Sequence, residues 1–232
     1  MRLHSIQQSL WLLFHVLLCY CWQVHAQISV ALPEEEIAAE QREIIRIPIA
    51  VFLLDDDNDG SLSSARTIDD VQETVGRVNA TWYRQAGIEI DPIAMERVVV
   101  PVDLLEGMKW QRGFGRDFTS FFRAIYQGQM QDISRLEDEA LIYAFYVQSL
   151  GGGINGMKPS GVNSFFVVDN PSVYDYRVSS HEIGHLLRLH HAMDSSMLMF
   201  SGSNGMTLTT VEQTVARYAA EGMTRSLDNS DR

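Results

Sequence analysis

Residues 181–191 read His-Glu-Ile-Gly-His-Leu-Leu-Arg-Leu-His-His. His181 and His185 are four positions apart, so on an α-helix both imidazoles leave one face, one turn apart, within reach of a single ion. Glu182 lies beside them, placed to reach a water held by that ion. Zinc with three protein ligands and one open position brings the pKa of its bound water to about 7. A carboxylate next to that water serves as general base and passes the proton to a leaving amine. The third ligand has to come from elsewhere. His191 follows His181 by ten residues, roughly 80° off the ligand face of a continuous helix with 3.6 residues per turn. It reaches the ion only if the helix ends after His185 and the chain turns back. His190 is its neighbour and the alternative. If the helix instead ran on past Arg188, an acid from the last helix, Glu212 or Glu221, would be the third ligand.

The rest of the chain sets this cluster apart. Of seven histidines among 232 residues, His4, His15 and His25 lie in the first 26. That stretch has Arg2, an apolar run from Leu10 to Trp22 and the small-residue site Val24-His25-Ala26, and it reads as a secretory signal peptide. The run is shorter than the roughly 20 residues of a spanning helix, so no stable membrane anchor is expected. Both cysteines, Cys19 and Cys21, would leave with it, which excludes disulfides and a thiol latency switch from the mature chain. The net charge of -12 becomes -13 when Arg2 is lost. An acidic exported chain is a poor partner for nucleic acid or anionic lipid. With 46% hydrophobic residues and no repeat or low-complexity block, the chain has enough core for a globular domain. The expected division is 1–26 signal peptide, 27–43 lead-in including Glu34 to Glu36, 44–222 catalytic domain and 223–232 polar tail. A monomer is expected.

The elements that must position the histidines follow from periodicity. Ile44 to Leu54 is an apolar run fit for a central strand. Ile68, Val71, Val75, Val78 and Trp82 share one face of a helix ending near Gly87. Ile88 to Val100 reads as a strand broken at Pro92, and Phe118, Phe121, Phe122 and Ile125 as a second amphipathic helix. Leu141 to Val147 and Ser164 to Val168 read as strands, with an irregular Gly-rich segment, 151–161, between them. Ser179 or Ser180 is the expected cap of a helix running through His181 to about Arg188. A last helix over 208–220 has Val211, Val215 and Tyr218 on one face. Strands alternating with helices predict an α/β (α+β) class with a mostly parallel sheet.

His181-Glu182-x-x-His185-x-x-Arg188-x-x-His191 resembles the long zinc signature of the metzincin metallopeptidases. Asp194-Ser195-Ser196-Met197-Leu198-Met199 is similar to the Met-turn of that clan, most of all its matrixin-like branch. The resemblance implies His181, His185 and His191 as zinc ligands, Glu182 as general base, and Met199, with Met197 the alternative, as the floor beneath the metal. It implies a twisted mixed sheet with one antiparallel edge strand, an active-site helix, a Met-turn and a C-terminal helix. Ser164 to Val168 would be that edge strand, where an extended peptide or protein substrate adds by β-augmentation. Phe200 to Met206 would line the pocket beyond the scissile bond. Arg188 departs from the pattern, because the family has glycine there to leave the helix in a left-handed conformation. The activity implied is that of a secreted or extracytoplasmic zinc endopeptidase; a metal-binding but inactive peptide-capture module is the rival that Arg188 favours.

One further motif concerns metal. Asp55-Asp56-Asp57-Asn58-Asp59-Gly60-Ser61-Leu62-Ser63 matches the first nine positions of an EF-hand-type loop, with Asp55, Asp57 and Asp59 as candidate calcium ligands. Arg66 occupies the position of the bidentate acid, and Asp69 or Asp70 would have to complete the site. The competing reading is a solvated strand-to-helix turn. The sequon Asn79-Ala80-Thr81 falls inside the first helix and is not read as a glycan site.

Overall fold

The structure, a computed structural model, describes residues 43–109, 118–136 and 141–230. The segment 1–26 and all but the last residue of the lead-in 27–43 lie outside the described residues. Glu43 onward forms one compact unit.

Strand β1 (Ile45–Asp56) is the centre of the fold. Its alternate side chains feed two cores, as expected for a strand covered on both faces. Ile45, Ile47, Ile49, Val51 and Leu53 pack on one side and Ala50, Phe52 and Leu54 on the other. The Ile-rich face meets α1 (Ile68–Ala86), whose buried stripe is Val71, Thr74, Val75, Val78, Trp82 and Ala86. A reciprocal capping box starts this helix. Asp70 N–H donates to Thr67 Oγ1 at 3.1 Å, and Thr67 N–H donates to the Asp70 carboxylate at 2.9 Å. Gly87, at φ 61°, ends it. Asn79 is turned inward to clasp the next strand, its amide bonded to Ile90 N–H at 2.6 Å and to Ile90 C=O at 2.8 Å.

Strand β2 (Ile88–Val100) returns parallel to β1. The break expected at Pro92 is a bulge: Ile49 faces Pro92, Ala50 faces Ala94, and Ile93 is the extra residue. Helices α2 (Val102–Met108), α3 (Phe118–Tyr126) and α4 (Gln131–Ser134) follow. Residues from all three pack in the core with Phe52, Phe145 and Phe166. Strands β3 (Ile142–Val147), β4 (Gly156–Met157) and β5 (Ser164–Val168) complete a five-stranded sheet in the order β2-β1-β3-β5-β4. All neighbours are parallel except β4 and β5.

The mixed α/β class with one antiparallel edge strand is therefore as expected, but the edge is a different segment. Ser164–Val168 pairs in parallel with β3 and is buried throughout. The antiparallel edge is Gly156–Met157, inside the Gly-rich segment read as irregular, facing Val167 and Phe166. Two residues are too few to show a period-2 pattern.

Helix α5 (Asp175–Leu186) carries the histidine motif. It starts one turn before Ser179 and Ser180, which are buried mid-helix and cap nothing. Its first residue is held from a distance: Asp175 Oδ2 accepts from Arg66 at 2.7 Å and from Thr74 Oγ1 at 3.0 Å. The Arg66 guanidinium also lies 5.3 Å from the Tyr146 ring centroid. Helix α6 (Thr210–Ser230) closes the chain, so most of the segment read as a polar tail is helical. Its expected apolar face is the wrong one. Val211, Val215 and Tyr218 are exposed, while Ala216, Ala219 and Ala220 are buried. The small side chains let the helix approach closely, and Arg217 ties it down through Ala86 C=O at 2.7 Å and Glu43 C=O at 3.0 Å. No helix among the described residues is long and apolar enough to cross a membrane.

Candidate functional site

The site is built where α5 stops. Leu189 N–H donates to Gly184 C=O at 2.9 Å and Arg188 N–H to His185 C=O at 3.2 Å, the paired bonds of a Schellman ending. That ending needs a left-handed residue. Arg188 supplies it at φ 66°, the one positive-φ residue other than glycine among those described. A side chain at this conformation costs about 1–2 kcal/mol. The chain then reverses, and His191 comes back over the helix. One ring nitrogen each from His181, His185 and His191 lies within 4.8 Å of the others. His185 Nε2 and His191 Nε2 are 3.1 Å apart.

On two of the three rings the second nitrogen is already engaged. His181 Nδ1 is 2.9 Å from Leu198 C=O, and His185 Nδ1 is 2.9 Å from Leu189 C=O. Each carbonyl requires an N–H on Nδ1 and so leaves Nε2 as a lone-pair donor directed at the cluster. Two imidazoles held this way, with His191 as the third, fit a divalent ion of the zinc type. Burial, opposed in part by the Leu198 bond, pushes His181 down to about 4, so it stays neutral at physiological pH. His185 is lowered too, chiefly by burial. Among the described residues this is the only group of three or more His, Cys, Asp or Glu placed to share an ion.

Glu182 is buried beside the triad. Removal from water raises its carboxyl to about 8, against the opposing pull of the Arg177 charge and a backbone bond from Lys158. The acid lies against the edge strand: a Cβ at Gly156 would stand 3.0 Å from Glu182 Oε1 and 2.5 Å from Val178 Cγ1. Only glycine lets β4 pass this close to α5.

Met199 is fully buried beneath α5, and a Cβ at Gly184 would overlap its sulfur. Met197, the alternative, is partly exposed. Arg177, which the sequence analysis did not single out, donates to Leu198 C=O at 2.8 Å and also to Phe200 C=O. The Leu198 carbonyl thus joins a buried guanidinium to His181. Nothing in the local pattern around Arg177 signals this, because both partners lie more than twenty positions downstream.

The other candidates go elsewhere. His190 is exposed and outside the triad. Glu212 caps α6, accepting from Thr209 N–H at 2.7 Å and Thr209 Oγ1 at 2.8 Å. Glu221 pairs with Arg225 one turn along the same helix. The calcium reading gains no support. Asp55 pairs with Arg97 at 2.5 Å, Asp57 accepts from Val102 N–H at 2.9 Å, and Asp59 from Ser61 N–H at 2.9 Å. The loop is organised instead by the intervening Asp56, which accepts from the N–H groups of Asn58, Gly60 and Leu62 at 3.0, 2.9 and 2.7 Å. A carboxylate saturated by its own loop does the ordering that a cation would otherwise do.

No protein-family model and no curated protein matches the chain. Solved structures do. One described as the structure of a chaperone–substrate complex is 13% identical, with a TM-score of 0.51 over 79% of this chain, which spans 35% of that one. Another is a zinc-dependent peptidase from Methanocorpusculum labreanum (strain Z), 9% identical, with a TM-score of 0.42 over 72% of this chain and 99% of that chain. At 13% identity the first likeness is one of fold alone.

Proposed function

We propose that this chain is a secreted zinc-dependent endopeptidase of metzincin type. The observation that carries the reading is the convergence of His181, His185 and His191 beside the buried acid Glu182. His181, His185 and His191 would hold the zinc, which when bound would supply polarisation of the scissile carbonyl and a water acidic enough to ionise near neutrality. Glu182 takes the proton from the attacking water and hands it to the leaving amine. Leu198 and Leu189 orient His181 and His185 through their carbonyls, and Met199 floors the site. The substrate peptide lies extended along β4, the antiparallel edge strand beside Glu182, and adds to it as a further strand. Residues 1–26 direct export and are removed, and the folded part acts as a monomer outside the cytoplasm.

The test is the Glu182→Gln variant alongside the wild type, assayed for zinc per chain and for cleavage of a quenched peptide library. Wild type should bind about one zinc and cleave in a chelator-sensitive way. The variant should keep zinc and lose at least the roughly 100-fold that general acid–base catalysis supplies. Full turnover by the variant would overturn the mechanism. Zinc-loaded wild type that binds peptide without cutting it would establish the capture-module rival.

A further inference from the structure

A cavity of about 540 Å³ opens beside His185, lined by Lys158, His185, Arg188, Leu189 and His190. It contains no carboxylate. The chain as a whole has 30 acidic residues against 18 lysines and arginines, so a cavity lined by two of these cations without a single acid runs against the composition. Only two lysines occur in the entire sequence, Lys109 and Lys158, and one of them stands here. Neither Lys158 nor Arg188 forms an ion pair among the described residues. Both are held by backbone that the site itself fixes. Lys158 immediately follows β4, and its main chain bonds to Glu182. Arg188 is the left-handed residue that ends α5, and it lines the cavity together with the triad member His185.

Resting on the peptidase reading, we propose that this cavity selects substrates presenting a carboxylate next to the scissile bond. A peptide laid along β4 runs past Lys158 as it reaches the triad. A carboxylate entering the cavity meets Lys158 from the strand side and Arg188 from the turn side. The carboxylate comes either from an Asp or Glu side chain or from a free C-terminus. An amide of the same shape makes no ionic contact, so the discrimination is one of charge. Arg188 then has two uses: its backbone turns His191 back, and its guanidinium reads the substrate.

The experiment uses the zinc-loaded protein and three matched sets of quenched peptides. The first, blocked at both ends, carries Glu at successive positions around one cleavage site. The second is identical with Gln. The third has Gln and a free C-terminal carboxylate. Cleavage is read as kcat/KM, and binding by fluorescence polarisation on the Glu182→Ala variant. The expected result is at least about 10-fold preference for Glu over Gln at one position. That preference should shrink in about 0.5 M salt, where exposed charges are screened. Lys158→Gln combined with Arg188→Asn should bring the ratio to within about 2-fold with zinc still bound, asparagine being tolerant of the left-handed conformation. A preference confined to the third set assigns the carboxylate to the C-terminus and supports the proposal through that source. Tighter binding of Glu peptides without cleavage of any peptide upholds charge selection and overturns the peptidase reading. Cleavage with equal rates and affinities for all three sets overturns the selection and leaves the peptidase intact. Absence of both cleavage and binding overturns both.

Discussion

Met199 lies so close under Gly184 that any side chain at 184 would overlap its sulfur. The glycine of the zinc-type motif and the methionine of the downstream turn are therefore one packing unit. Gly184→Ala should destabilise the fold by about 1–3 kcal/mol, the cost of overpacking a filled core. Met199→Ala alone should cost about 2–5 kcal/mol as a cavity. Because the two changes occupy the same space, the double variant should be more stable than the sum of the singles by at least about 0.5 kcal/mol. Urea denaturation of the four proteins measures the coupling; strict additivity would separate the two residues.

Arg188 carries strain that glycine would release. Arg188→Gly removes about 1–2 kcal/mol of left-handed strain, offset by about 0.5–1 kcal/mol of added chain entropy in the unfolded state. The net expectation is a gain of up to about 1.5 kcal/mol with zinc affinity preserved. Arg188→Val, branched at Cβ, should lose stability and metal together. Equal stability of the two variants in calorimetry would contradict the observed φ of 66°.

Metal content distinguishes the third ligand. His191→Ala should weaken zinc binding by more than the roughly 100-fold typical of losing an outer-shell partner. Glu212→Ala and Glu221→Ala should retain one zinc per chain, since those acids are committed to Thr209 and Arg225. Competition with a calibrated chelator gives the affinities, and zinc loss in either glutamate variant would reverse the assignment.

In the metal-free protein the stability contributed by neutral His181 should be lost as pH falls from about 6.5 to about 4, while Glu182, held up to about 8 by burial, works in the opposite sense between about 8 and 4.5. In the unfolded chain His181 titrates near 6.5. In the fold, burial holds it down to about 4. Between these values the unfolded state binds more protons, so acidification favours unfolding; above 6.5 this contribution is flat. The drop across the window is on the order of a few kcal/mol. Urea midpoints in chelator between pH 7.5 and 4.5, measured in a Glu182→Gln background that removes the opposing carboxyl, should show the slope, and adding His181→Gln should lessen it.

Much of this protein is determined within short stretches of chain. The 3.6-residue stripe of α1, the Thr67–Asp70 box, Gly87 and the apolar run of β1 depend on neighbours in sequence, and they lie where their patterns place them. The four-residue spacing of His181 and His185 belongs to the same category. Tertiary structure decided the rest. Helix α5 begins at Asp175 because Arg66, 109 residues earlier, binds it there. A two-residue strand exists because β5 pairs with it and Gly156 clears Val178 and Glu182. The buried face of α6 follows from what it packs against, since alanines and larger apolar residues each offer a stripe. The aspartate loop has the spacing of a calcium site, but Arg97 and Val102, brought over by β2 and the turn after it, engage Asp55 and Asp57. Periodicity encodes local geometry. Which face is covered, and which charge is answered, depends on residues far away in sequence that only folding brings near.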